Sequence, residues 1–401
     1  MRYRILGLVI WMMGQLTVEA RAESLSLAEA LQRAQSAYAL QQSQLQVRIQ
    51  QGRWVQTQQG LNPALNVGVE EFPSLTGQSG EFNVLWQQAW AVSGRLEKRS
   101  ELARQAVHLA ESGVLLKARQ LRQEISQAYY AALMWQHYVS VLTDLQASAE
   151  KSRLLLLQQY RAGKILLTEY NRAQLLAEDV GLQLQSATLS WQQARTKLAL
   201  FWNQADDDTL VLSEELMPSS HVFKIQELLN THPEMELARQ GVEKQRLNLA
   251  LQESLRWPDI TTRVGLRYLP YENNLGSLAG FIWPLPVANA NQGNQQVAQE
   301  EIARAQMNQQ ATRVSLENRL VQARQAHTNT LSLIARYQQQ VLPVASQNVE
   351  LTQKAYAAGK LSYLEVLDAQ RSLMVLKLGY IKVWGQYWNA ITRLNYLISS
   401  T

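Results

Sequence analysis

The chain predicts as a mainly α-helical protein with a small β part, folded from two copies of one unit. Three observations carry this. The run Gln159-Tyr160-Arg161-Ala162-Gly163-Lys164, with Thr168-Glu169 and Ala173-Gln174, returns 196 residues later as Ala355-Tyr356-Ala357-Ala358-Gly359-Lys360, with Leu364-Glu365 and Ala369-Gln370. Each copy holds a proline-poor helical stretch of unusual length before that run. Each also holds two short segments that alternate apolar and polar residues. A repeat of this size is one supersecondary layout used twice, so half of the chain explains the whole. A further echo agrees: Val47 precedes Pro63, and Val242 precedes Pro258, by sixteen residues.

Composition supports long helices over ordinary globular domains. The 401 residues include only 19 Gly, 9 Pro and 5 Phe, while Gln, Ala, Leu and Arg are abundant. Residues 1–22 read as a secretory signal peptide: Arg2 and Arg4 precede the apolar stretch Ile5 to Met13, and Ala20-Arg21-Ala22 suits cleavage before Glu23. That segment accounts for +2 of the net charge of +5. The remaining basic residues are scattered, which argues against a nucleic-acid partner. Cysteine is absent, so thiolate metal sites, cysteine nucleophiles and lipidation of an N-terminal cysteine are not expected.

The first repeat is expected over 23–202. A helix runs through 25–61 and stops at Asn62-Pro63, because proline lacks an amide and disfavours a helical residue before it. Strands follow at about 64–72 and 82–92, where Leu65, Val67 and Val69, then Phe82, Val84 and Trp86, keep a period of two. From Leu96 to Tyr160 there is no proline. A helix of that length spans roughly 96 Å and needs a coiled-coil or helical-barrel setting. A tip turn is expected at about 161–166, around Gly163, with a returning helix to Phe201. Residues 203–220 read as a linker, and its three aspartates as a solvated loop. The second repeat, 221–401, opens with His232-Pro233-Glu234 and places strands at about 260–269 and 278–286. Its long helix kinks at Pro343, its tip turn lies at about 357–361, and its returning helix ends near Leu397.

Strands of about ten residues suit a tilted membrane-spanning β-strand. In 260–269, Arg263 and Arg267 alternate with Val264, Leu266 and Tyr268, which gives one wet face, lining a barrel lumen, and one apolar face. Trp86, Trp90, Tyr268 and Trp283 are placed to form interfacial aromatic belts. Four strands cannot enclose a pore, whereas three chains contributing four each form a twelve-stranded barrel without edges. The other reading of the same pattern is a small four-stranded sheet on a helical protein.

The doubled layout resembles the TolC family of outer-membrane efflux proteins. The resemblance rests on Tyr356-Ala357-Ala358-Gly359-Lys360 with Leu364 to Leu373, on Pro284-Leu285-Pro286 with Asn291-Gln292-Gly293, and on His232-Pro233-Glu234 with Trp257-Pro258-Asp259. The short hairpins and Asn62-Pro63-Ala64-Leu65 are most similar to the CzcC-type ducts of heavy-metal efflux. The exit Ala91-Val92-Ser93-Gly94-Arg95 departs from the Gly-Gly pair of that branch. The resemblance implies a homotrimer in the outer membrane of a Gram-negative bacterium, with its helical part in the periplasm. Its implied partners are outer-membrane lipid, a periplasmic adaptor and an inner-membrane pump of the resistance-nodulation-division type. The expected function is passage of substrate, foremost divalent heavy-metal cations, to the exterior. Organic or protein cargo for the same duct, and a soluble coiled-coil scaffold, are the alternatives.

The resemblance also assigns residues. Glu365 and Asp368, three apart on one helical face, are expected to form acidic rings at a periplasmic constriction, where like charges attract cations and raise one another's pKa. Tyr356 with Thr168 and Glu169 is expected to form a tip latch through a hydroxyl–carboxylate bond. The arginine that serves some members is replaced here by Leu361. Gly163, Lys164, Gly359 and Lys360 form the tip turns that dock the adaptor. No nucleophile elbow, phosphate loop or metal motif is present, so no enzyme and no cofactor are expected. His108, His137, His221, His232 and His327 share no close spacing, and no bound metal is expected.

Overall fold

The computed structural model describes residues 24–34, 37–70, 80–203, 210–213, 231–270 and 272–398. The expected signal peptide and most of the 203–220 linker lie outside these residues.

The first element is a two-residue strand, β1 (Ser24–Leu25), followed by α1 (Leu27–Arg33). Ser26 caps this helix reciprocally: the Glu29 amide donates to the Ser26 hydroxyl at 3.3 Å, and the Ser26 amide donates to the Glu29 carboxylate at 2.8 Å. The next helix, α2, is Tyr38–Thr57. The single helix expected over 25–61 is therefore two. Ala37 is extended at φ −58°, ψ 133°, and Ala30, Ala34 and Ala37 are buried in the core where longer side chains would keep the pieces off α3. The strand β2 (Ala64–Glu70) ends at the described limit, two residues short of the expected end, and β3 is Glu81–Trp90.

Gly94, at φ 70°, turns the chain into α3 (Arg95–Arg161), a continuous 67-residue helix about 100 Å long. The returning helix α4 (Leu167–Ala199) is followed by a 3-10 turn and by β4 (Val211–Leu212). The linker thus contains a strand, which pairs parallel with β1. Side chains of α3 hold both strands. The Tyr129 hydroxyl donates to the Leu25 carbonyl at 2.9 Å, and the Gln136 amide both donates to and accepts from the Leu212 backbone.

In the second copy come α5 (Pro233–Ser254), β5 (Ile260–Leu269) and β6 (Asn274–Ile282). The expected bounds of β5 are met. β6 begins four residues before its expected start and ends four before its expected end. The hairpin loop is short because Asn273 takes a left-handed φ of 46°, and Pro284, without an amide, ends pairing at Ile282. The helix α6 (Gln292–Arg336) passes through a π turn at Tyr337–Val341 into α7 (Leu342–Ala357). The expected kink at Pro343 is this π turn. A proline ring crowds the carbonyl four residues earlier, and one wider turn relieves the clash. The last helix, α8 (Tyr363–Ile398), is the centre of the molecule: Trp384, Tyr387 and Trp388 pack with Tyr129 and Leu133 of α3 and Ile334 of α6.

The α5 start is tied to α8 by polar groups. His232 is 1% exposed, and its Nδ1 accepts from the Glu234 amide at 3.2 Å, which caps the helix. Its Nε2 lies 3.3 Å from the Tyr396 carbonyl, so Nε2 carries the proton. Glu234 accepts from Arg319 at 2.5 and 3.2 Å and from the Tyr396 hydroxyl at 2.5 Å. Burial, followed by the Arg119 charge, lowers the His232 pKa to about 4. Arg319 and the Tyr396 hydroxyl hold the Glu234 carboxyl below its ordinary value, although burial, the largest single influence, acts in the opposite direction.

Candidate functional site: the two-faced sheet and the paired glycine turns

The two hairpins form one antiparallel sheet in the order β2-β3-β5-β6. Register sorts its side chains, gathering large apolar ones on one face. Leu65 lies opposite Trp86, Val67 opposite Val84, and Val69 opposite Phe82. Trp86, Val84 and Phe82 in turn face Val264, Leu266 and Tyr268. Leu275 and Ala279 continue the same rows on β6. This face has no cover within the chain: Leu65, Val67 and Leu275 are 67%, 71% and 64% exposed. An apolar face of this extent is far larger than a water-exposed surface carries without a partner.

The opposite face is polar and small. It carries Asn66, Glu70, Glu81, Asn83, Gln87, Arg263 and Arg267, with Gly265, Gly276 and Gly280 between and with Leu85 and Leu278 flanking Gly265 in mid-sheet. Arg267 pairs with Glu81, and Asn83 donates to Glu70 at 3.0 Å. Arg263 is half-buried on the same face, and its Nε has no protein partner. At Gly265 a Cβ would fall 2.2 Å from the Val84 carbonyl, so the sheet approaches itself there as only glycine allows. Arg263 and Arg267 thus share the sheet face opposite the rows of Val264, Leu266 and Tyr268.

The expected belt residues separate. Trp90 lies opposite Ile260 at the helix end of the sheet, where Trp283 follows β6, and its indole donates to Thr262 at 2.9 Å. Tyr268 lies at the loop end, and Trp86 sits in mid-strand opposite Val264. Trp86 therefore belongs to the apolar field between the two ends. Below the sheet, Arg95 at the α3 start pairs with Asp259 before β5, tying one copy to the other.

At the far end the two copies build the same turn. The amides of Gly163 and Lys164 donate to the carbonyls of Tyr160 and Gln159, and those of Gly359 and Lys360 to Tyr356 and Ala355, all at 2.9 Å. These are Schellman closures, with the two glycines at φ 69° and 71°. Lys164 and Lys360 are exposed beside them.

The expected latch is built differently. The Tyr356 hydroxyl donates to the Gln159 side chain at 2.8 Å, so its bonding partner is not Glu169. Gln159 is one helical turn before Gly163 on α3, whereas Glu169 lies past the turn on α4. Glu169 still bears on Tyr356: burial first, then this carboxylate, pushes the hydroxyl pKa up. Thr168 is exposed. Tyr356 also meets Tyr363 edge-on, with ring centres 5.2 Å apart, and both pack with Leu156, Ala173, Val366 and Leu367. Gln159 was detectable in principle, because the repeat sets Ala355, which has no bonding side chain, against it.

Glu365 and Asp368 are both exposed on α8, on the side away from buried Tyr363, Val366 and Leu367. Arg371 continues that exposed face one turn on. Within the chain Glu365 accepts from the Ser362 hydroxyl, and that bond lowers its pKa. Among the described residues, no group of three His, Cys, Asp or Glu side chains could hold a metal ion. Among the same residues, no helix is long and apolar enough to cross a membrane.

A sheet with one bare apolar face and one polar face is joined to helices of about 100 Å, and solved structures share this fold. Residues 224–399 match the outer membrane efflux protein family. The chain is 27% identical to the cobalt-zinc-cadmium resistance protein CzcC of Cupriavidus metallidurans, over 96% of this chain and 90% of that one. A solved structure of CusC, described in terms of transmembrane channel formation, superposes with a TM-score of 0.80 at 16% identity, covering 94% of this chain and 92% of that one. The outer membrane protein VceC of Vibrio cholerae gives 0.78 at 18% identity, covering 93% and 95%. The likeness read from the sequence stands: this chain has the fold of the outer-membrane efflux channels and is similar to the CzcC-type branch.

Proposed function

We propose that this chain is the outer-membrane duct of a tripartite efflux system and passes divalent heavy-metal cations to the exterior. The observation that carries the reading is the two-faced sheet. Its edges, β2 and β6, each pair on one side only, and its apolar face is bare. Both needs are met when three copies join edge to edge as a twelve-stranded barrel in lipid, with the Arg263 and Arg267 face inward. The helices then extend into the periplasm, and the paired glycine turns meet an adaptor that links the duct to a resistance-nodulation-division pump. Glu365 and Asp368 line the periplasmic constriction, and the duct itself performs no bond chemistry. The cation cargo follows the name of the CzcC relative.

Efflux in a strain lacking the chain tests the cargo. Challenge with zinc, cobalt and cadmium, in parallel with dyes and detergents, is expected to show sensitivity to the metals alone. Sensitivity to the organic panel alone overturns the cation assignment while leaving the duct. Recovery of the protein in the soluble fraction, away from outer membranes, overturns the duct.

A further inference from the structure

Between α1, α3, the start of α5 and the end of α8 lies a cavity of about 420 Å³, a size usual for small-molecule sites. Its walls are apolar: Leu27 and Leu31 from α1, Leu115 and Ala118 from α3, and the rings of Tyr130 and Tyr396. Ala30 and Ala34, buried in the core, hold α1 against the bundle, and Leu27 and Leu31, one turn apart, are left half-buried over the gap. Tyr130 is fixed by stacking on Trp388, with ring centres 5.3 Å apart. The cavity is therefore shaped by packed elements.

Its charge has one sign. Arg119 and Arg122, three apart on α3 and so on one face, both line the cavity, and among its described lining residues there is no acid. The Arg119 guanidinium stands 5.9 Å from the centre of the Tyr396 ring, and burial lowers its pKa. The Glu234 carboxylate accepts from Arg319 and from the Tyr396 hydroxyl. The lining hydroxyls turn inward: Ser126 donates to the Arg122 carbonyl at 2.8 Å, and Thr392 to the Trp388 carbonyl at 2.7 Å. An apolar hollow with two cations on one side calls for a ligand that is greasy at one end and anionic at the other.

We propose that this cavity binds a long-chain carboxylate, its chain laid along Leu27, Leu31 and Leu115 against the Tyr130 ring and its head held by Arg119 and Arg122. A planar carboxylate suits a guanidinium, which meets it through two parallel N–H···O bonds. Partial burial strengthens an ion pair that counts for little on an open surface. A neutral amphiphile fills the same walls but brings no charge to the arginines. A short carboxylate pairs with the arginines but leaves the walls wet. Selection therefore needs chain and head together. The site is formed by helices of one chain, so it stands apart from the duct reading and from its cargo.

The probe is dodecanoate with a diazirine at its chain end, photolysed with purified full-length protein in lipid nanodiscs. Cross-linked peptides are then mapped by mass spectrometry. Labelling is expected on the peptides that hold Leu27, Leu31 or Leu115. Plain dodecanoate is expected to compete, and methyl dodecanoate and butyrate to compete about tenfold less well or worse. Arg122→Glu, at an exposed position, is expected to lower labelling about fivefold or more without moving the melting midpoint, and Arg122→Lys to keep most of it. Ala118→Trp, which fills the cavity, is expected to abolish labelling; should that variant fail to fold, Arg122→Glu decides alone. Labelling spread evenly along the chain overturns the site. So does competition by the methyl ester equal to that of the acid, labelling undiminished in Arg122→Glu, or labelling retained in folded Ala118→Trp.

Discussion

The two copies of the repeat share their tip turns bond for bond and differ in almost everything that packs. The returning helix of the second copy buries eighteen of its 36 residues, and that of the first buries seven of 33. Helix α8 is the core of the chain, with Trp384, Tyr387 and Trp388 at its centre. Helix α4 lies at the margin and leaves Leu175, Leu182 and Leu189 more than half exposed at intervals of seven. A stripe of that period is what a neighbouring helix covers in a coiled coil. The difference teaches that duplication conserved the backbone device and reassigned the faces. One copy became the frame, and the other became the core.

The largest way to break this comparison is at the core. Trp384 is fully buried and its ring meets Tyr380, Tyr387 and Trp388. Its counterpart 196 residues earlier is half-buried Thr188. Trp384→Ala is expected to cost about 3–5 kcal/mol, and Thr188→Ala about 1 kcal/mol or less. Denaturant unfolding of the purified protein gives both numbers. Equal losses would show that the two returning helices carry the fold alike.

Acid sharpens the comparison next. His232 closes α5 only while Nδ1 is unprotonated. In the register that matches Pro258 with Pro63, the first copy has Ala37 at this place, and α2 starts there without a side-chain cap. Arg119 and Arg319 oppose protonation of His232, Glu234 and the Tyr396 carbonyl favour it, and burial prevails, which sets the pKa near 4. Between the ordinary value near 6.5 and about 4, the unfolded chain takes up a proton that the folded chain refuses. Stability is therefore full above about pH 6.5, falls as pH drops towards 4, and levels below it. A shift of this size is worth roughly 3 kcal/mol. His232→Gln is expected to flatten that slope between pH 6.5 and 4, as read by denaturation midpoints. A slope unchanged by the substitution would place the acid sensitivity elsewhere.

How far this was legible in the sequence follows from the range of each interaction. β5 was read to the residue, because Val264, Leu266 and Tyr268 alternate with Arg263 and Arg267 in an unbroken period of two. β6 was read four residues late, because Gly276 and Gly280 blur the alternation that Leu275 and Ala279 supply. The strands β1 and β4 are too short to show any period. Pro343 announced its kink, and the shape of the kink depends on the carbonyl it crowds. The Glu234–Arg319–Tyr396 cluster joins residues 85 and 162 positions apart, which no local pattern reveals. At the tip, the family pattern pointed from Tyr356 to an acid on the returning helix. The hydroxyl instead takes an amide on the outgoing helix, one turn before the glycine.

The identical turns give the next test, and here the comparison predicts no difference. Gly163 and Gly359 have φ of 69° and 71°, and a Cβ at either meets nothing within 4 Å. Alanine at either position therefore brings backbone strain alone, about 1–2 kcal/mol. Equal destabilisation by Gly163→Ala and Gly359→Ala is expected in denaturant unfolding. A markedly larger loss at one turn would mean that it bears a contact the other lacks.

The smallest expected effect lies one step past the turns, where the copies part again. Ser362 stands before α8 and donates to Glu365 three residues on. The matching position before α4 is Leu166, which makes no side-chain cap bond. Ser362→Ala removes an exposed hydroxyl that donates to Glu365, a change expected to alter stability by less than about 0.5 kcal/mol. It also releases Glu365, whose lowered pKa has the Ser362 hydroxyl as its first cause. The carboxyl pKa of Glu365, followed by NMR titration of the side-chain carboxyl, is expected to rise towards its ordinary value in this variant. Leu166→Ser, by the same reasoning, gives the first copy the cap it lacks and is expected to stabilise the α4 start by a comparable amount. If Glu365 titrates unchanged without Ser362, its charge is set by other groups.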